Sequence, residues 1–104
     1  MTNYDAISAR LYPYNVDDGL IHVSCMDAGL SPDDEYSSAA KKSVAKATID
    51  VLKQLVVLAS ESNGGYSLGY DVAELRRRIH AMAKENGFAD IAEEFNPRPT
   101  VKFL

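Results

Sequence analysis

Only one cysteine, Cys25, stands in the chain. A lone thiol excludes an internal disulfide and fits a reducing compartment. Positive charge is also scarce. Eleven Lys and Arg stand against 15 Asp and Glu, giving a net charge of -4 and a pI near 5.0. That balance argues against a general nucleic-acid binder and against a surface for anionic lipid. No long apolar run is present. The longest candidate, LVVLA at Leu55–Ala59, is far too short to span a bilayer. The opening MTNYDAISAR lacks both a basic and an apolar region, so no secretory signal is expected. Catalytic motifs are missing too. There is no Ser-His-Asp order, no carboxylate pair, and Gly64-Gly65 lacks the Lys-Ser/Thr of a phosphate loop. These absences predict a cytoplasmic protein with no membrane contact, no cofactor and no enzymatic activity.

The 104 residues allow one domain. Its dominant stretch is Ser31 to Ser62, which holds no glycine and only Pro32 among the prolines. Ser31 is suited to cap a helix, and Pro32 would fall at the first helical position, where its missing N–H costs nothing. Asp33, Asp34 and Glu35 would then face the positive end of the helix dipole. Ala40, Val44, Ala47, Val51, Leu55 and Leu58 recur at helical spacing. Ala45, Ile49, Leu52, Val56 and Ala59 form a second stripe beside them. A helix with that much apolar circumference needs cover on more than one side.

Shorter helices flank it. Thr2 with Asp5 three residues on makes a capping box for a helix over Asn3 to about Leu11, buried through Tyr4, Ile7 and Leu11. Tyr12-Pro13-Tyr14-Asn15 breaks it. Asp17 or Asp18 starts the next, with Leu20, Ile21, Val23, Ser24, Cys25 and Ala28 on its apolar side. Gly29 and Leu30 provide its stop signal. After the long helix, Asp71 can cap DVAELRRRIHAMAKEN, whose stripe is Val72, Leu75, Ile79, Met82 and Ala83, and Gly87 ends it. Phe88–Phe95 is a last short helix. The fold class is therefore all-α: a small bundle on one long central helix. Residues 1–95 form the helical domain, and 96–104 form an extended C-terminal arm, because Pro97 and Pro99 bias their predecessors away from the helix.

Most polar candidates have a plain structural explanation. His22 and Cys25 are three apart, but two ligands make no metal site, and His80 is distant in sequence. A buried thiol and a half-exposed imidazole suffice. Arg76-Arg77-Arg78 cannot form one flat patch, since successive helical residues point about 100° apart. One of the three must lay its stem over the apolar stripe. Glu74 and Arg78 form an i,i+4 pair. The acidic run Asp33–Glu35 is explained by capping, and Glu93-Glu94 by solvation.

Two segments resist such explanations. The loop after the long helix presents Tyr66, Leu68 and Tyr70 alternating with Ser67 and Gly69. Those aromatics either pack back on the core or meet another chain. The arm PRPTVKFL carries Val101, Phe103 and Leu104, which are costly to leave in water. It either folds back or adds to a neighbour.

The run Ser60-Glu61-Ser62-Asn63-Gly64-Gly65-Tyr66-Ser67-Leu68-Gly69-Tyr70-Asp71, followed by the Leu75–Ala83 helix, resembles small head–tail connector proteins of tailed phages and prophages. These are also called adaptor or head-completion proteins, and the likeness is to Bacteroides-type versions. The order of elements along the whole chain is similar as well. The resemblance implies an all-helical, non-enzymatic subunit without cofactor, located in the host cytoplasm and then in the virion. It implies a homo-oligomeric ring that joins portal to tail proteins while DNA passes through unread. The residues it implies for contacts with neighbours are Gly64, Gly65, Tyr66, Ser67, Leu68 and Tyr70 in the loop, and Arg98, Val101, Phe103 and Leu104 in the arm. An acidic balance suits a channel wall that must not grip phosphate. The competing expectation is a small helical regulator, with the helix pair around Gly29 read as a DNA-binding helix-turn-helix.

Overall fold

The computed structural model describes residues 1–61 and 71–96, with the side chains of Ser60 and Glu61 outside that description. Five α-helices account for its regular structure: α1 (Asn3–Leu11), α2 (Asp18–Asp27), α3 (Lys41–Glu61), α4 (Val72–Glu85) and α5 (Ala89–Glu94). A single 3-10 turn, Ser38–Ala40, leads into α3. Among the described residues there is no β-strand, only an isolated antiparallel bridge between Thr2 and Glu35. The fold is all-α.

Helix α3 is the axis. α1, α2 and α4 pack against it, and α5 packs on α4. Val44, Ala45, Ala47, Thr48, Ile49, Val51, Leu52 and Leu55 are all buried, so α3 is covered on several sides for about three turns. Each large aliphatic side chain so buried contributes about 1.5–3 kcal/mol. Thr48 is tolerated because its hydroxyl donates to the Val44 carbonyl, 2.8 Å away. Lys46 and Asp50 pair across one turn on the wetter side. The second-stripe residues Val56 and Ala59 are half-buried. Val57 and Leu58, one turn past Leu55, remain 46% and 47% exposed.

The long helix begins at Lys41, not at the expected Ser31. The segment from Ser31 to Tyr36 instead forms a strap across the start of α1. Asn3 donates its backbone N–H to Asp34 (2.9 Å), and Tyr4 donates to Pro32 (3.1 Å). Tyr36 donates to Met1 (2.9 Å), and the Asn3 side-chain amide reaches the Ser31 carbonyl at 2.9 Å. The first amides of a helix need partners outside it. Here the strap supplies carbonyls for two of them, in place of the two to three further turns of α3 that the sequence predicts. Pro32 thus occupies a turn rather than a first helical position, and the acidic run lies away from the α3 dipole. The connection from α2 to α3 is also too long for a helix-turn-helix, which needs a turn of about 3–4 residues.

The remaining boundaries follow the sequence closely. Thr2 caps α1 with both halves of the capping box in place: Asp5 donates its N–H to Thr2 Oγ1 (3.1 Å), and Thr2 donates its N–H to Asp5 Oδ2 (3.0 Å). With the strap, all four leading amides of α1 are satisfied. Asp17 caps α2 through Gly19 N–H, and Asp71 caps α4 through Glu74 N–H. Gly29 and Gly87 close α2 and α4 at φ +83° and +81°. In both, the next residue's amide returns three residues inside the helix: Leu30 to Cys25 (3.1 Å) and Phe88 to Ala83 (2.8 Å). On α2, Ile21, Ser24 and Cys25 are buried, whereas Val23 points to solvent with Met26.

The Thr2 bonds hold the Asp5 carboxyl below its ordinary 3.8, the backbone bond contributing most. A depressed carboxyl stabilises the fold above its unfolded value and loses that contribution as pH falls through the folded one. Asp5→Asn is therefore expected to lose less stability between about pH 5 and pH 2 than the parent does. Urea titrations of both chains at each pH check it; parallel losses in the two would exclude Asp5 as a contributor.

Candidate functional site

The residues expected to meet other proteins lie outside the described residues: Gly64, Gly65, Tyr66, Ser67, Leu68 and Tyr70 of the loop, and Arg98, Val101, Phe103 and Leu104 of the arm. What the structure does place is the surface from which both segments leave. The loop leaves from the end of α3, directly after the exposed Val57 and Leu58. The arm leaves from Asn96, beside α5.

Asn96 lies on the rim of a groove between α4 and α5 with a volume of about 430 Å³. Its apolar lining comes from small residues, Ala83, Gly87, Ala89 and Ala92. Its polar lining pairs His80 and Lys84 of α4 with Glu93 and Asn96. His80 ties the two helices together, its Nδ1 lying 2.8 Å from the Ala92 carbonyl. A carbonyl only accepts, so Nδ1 carries the proton in that contact. Phe95, which follows α5, is buried, with the Arg76 guanidinium 4.8 Å and the Lys53 ammonium 5.9 Å from its ring centre. Sequence reading missed this groove. The available signal was the spacing of small residues on two consecutive helices, Ala83 with Gly87 and Ala89 with Ala92.

The three consecutive arginines separate as helical geometry requires, but not with the expected partners. Arg77 pairs with Glu74 at 2.7 Å, so the ion pair is i,i+3 and does not involve Arg78. Arg78 turns inward. Its Nη1 donates to the Arg10 carbonyl at 3.1 Å, and its guanidinium lies 5.2 Å over the Tyr14 ring. That carbonyl belongs to the last turn of α1, where acceptors lack helical partners. Arg10 in turn reaches Tyr36 of the strap, donating to its hydroxyl at 3.1 Å with the ring 5.4 Å away.

His22 and Cys25 do not meet. Cys25 is buried, and burial pushes its thiol above the ordinary value, away from the reactive thiolate. His22 lies outside against Tyr4, ring centres 5.1 Å apart, with Nδ1 2.9 Å from the Asp18 carbonyl. Tyr4 donates its hydroxyl to the Asp18 carboxylate. That bond, ahead of burial and the negative charge of Asp18, Asp5 and Asp17, raises the phenol above its usual 10.0. Among the described residues no three His, Cys, Asp or Glu side chains converge as a metal site would require, and none of the helices is long and apolar enough to cross a membrane. The acidic run Asp33–Glu35 is exposed on the strap.

Comparison with known proteins places the chain in a family without an assigned activity. It belongs to the family of unknown function DUF6706, which matches residues 1–103. No curated protein and no solved structure matches it.

Proposed function

We propose that this member of the family is a structural subunit of a phage or prophage head–tail connector, a ring joining portal to tail through protein–protein contacts without catalysis. The observation that carries the reading is the end of α3. Its apolar face is fully covered up to Leu55, yet Leu58 carries that face into solvent, and Val57 beside it leaves a second large apolar side chain exposed. Both stand on the approach to a loop whose Tyr66, Leu68 and Tyr70 extend the apolar sequence. An apolar strip that outruns its own fold is what a docking surface requires. The resemblance of Ser60–Asp71 and the Leu75–Ala83 helix to connector proteins supplies the kind of assembly. The committed state of the basic residues fits it too: Arg78 is turned inward and Arg77 is paired, so neither is arrayed for phosphate.

The test is assembly. Light scattering of the purified chain, alone and with the portal protein of its own element, is expected to show rings or a portal-bound oligomer. Tyr66→Ala and Tyr70→Ala are expected to keep the parent's helical signal and to weaken that association by about tenfold or more. A stable monomer that binds no virion component overturns the reading. A large loss of helical signal in either variant would instead make the loop part of the core.

A further inference from the structure

We propose that the α4–α5 groove of one copy receives the arm, residues 98–104, of a second copy. The proposal rests on the assembly reading above and assigns it a socket and a plug. Three observations support it.

The first is shape. The apolar part of the groove is lined by alanines and a glycine, so between its polar residues it offers room where most helix pairs interdigitate. A cavity of about 150 Å³ takes a benzene ring. At about 430 Å³, this hollow accommodates the Phe103 ring together with a second aliphatic side chain such as Val101. The second is charge. Helix α5 carries Asp90, Glu93 and Glu94 and no basic residue, with Lys84 on the α4 side of the groove, whereas the arm carries Arg98 and Lys102 and no acidic residue. With its apolar residues in the hollow, the arm brings two cations against an acidic helix.

The third is reach, and it decides between a copy's own arm and a neighbour's. The arm starts at Asn96, already on the rim. Pro97 and Pro99 bias Asn96 and Arg98 toward extended backbone. Seven residues of extended chain carry Phe103 about 23 Å from Asn96. An extended run of that length carries Phe103 away from the corner where the arm begins, and Pro97 and Pro99 oppose an immediate reversal at Asn96 and Arg98. A neighbouring copy's groove needs no reversal. The contact is head-to-tail, each copy giving one arm and receiving one, which is the arrangement that closes rings.

Two variants of the full chain test this. Phe103→Ser spoils the arm and leaves the groove intact. Ala89→Trp fills the groove mouth at an exposed position and leaves the arm intact. Sedimentation velocity is expected to show concentration-dependent assembly of the parent. Each variant, with parental helical signal, is expected to self-associate about 30-fold or more weakly. Mixed together, the two are expected to form a one-to-one complex that grows no further, because only one good arm and one good groove remain to meet. Parent-like assembly of Phe103→Ser, or no complex in the mixture of folded variants, overturns the exchange. A parent that stays monomeric alone but binds the portal also overturns it, and leaves the connector reading standing. Assembly through this groove with no affinity for any virion component does the reverse.

Discussion

Leu52→Ala is expected to lower the unfolding free energy by about 2–5 kcal/mol, the range for deleting a buried leucine and leaving a cavity. Leu52 has no exposed surface and sits mid-way along α3, the helix against which α1, α2 and α4 pack. A domain of this size holds roughly 5–15 kcal/mol in total, so one substitution removes a large share. The comparison that gives the result meaning is Leu58→Ala, two turns on in the same helix but 47% exposed. It is expected to change stability by no more than about 0.5 kcal/mol, as surface substitutions do. Under the assembly reading it nevertheless weakens self-association or portal binding. Urea unfolding followed by helical signal measures the first effect, and light scattering the second. Equal destabilisation by both would mean that α3 is covered beyond Leu55.

Arg78→Ala is expected to cost about 1.5–3 kcal/mol, the range for a hydrogen bond to a charged donor that leaves its partner unpaired. The guanidinium closes the last turn of α1 from α4 and stacks on Tyr14, so its loss opens the α1–α4 contact. Arg77→Ala, which breaks only an exposed pair with Glu74, is expected to stay within about 0.5 kcal/mol. Arg76→Ala should fall between, at about 0.5–1 kcal/mol for its place over Phe95. Arg78→Lys keeps the charge but not the planar fork, and is expected to recover only part of the loss. Chemical denaturation of the four variants ranks them. Equal costs for the three alanine variants would sink the assignment of Arg78 as the inward residue.

Local rules made much of the fold readable. The capping box at Thr2 and Asp5, the caps at Asp17 and Asp71, and the stops at Gly29 and Gly87 are all set by residues within a few positions of the helix end they govern. The stripe of α4 was equally plain, because Leu75, Ile79 and Ala83 stand on an otherwise charged helix. The start of α3 was not readable. Ser31-Pro32-Asp33-Asp34-Glu35 satisfies every local rule for a helix start, but its carbonyls serve α1, nearly thirty residues earlier in the chain. Val23 misled for a related reason: its spacing suits the apolar side of α2, but among the described helices α2 packs mainly on α1 and α3, and Val23 lies on the arc they leave exposed. The partner of Arg78 and the α4–α5 groove likewise depend on how helices meet, which spacing along one helix does not encode.

The strap also bears on the order in which the molecule takes shape. Asn3 and Tyr4 find their acceptors at Asp34 and Pro32, so α1 is synthesised before the segment that completes its leading turn. It has to wait for the hairpin-like return of the chain behind α2 before its leading turn is complete. A nascent polypeptide arrested short of Ser31 is expected to hold α1 as little more than a fluctuating coil, as nine residues without tertiary cover do, and α1 consolidates only once Ser31–Tyr36 has followed it.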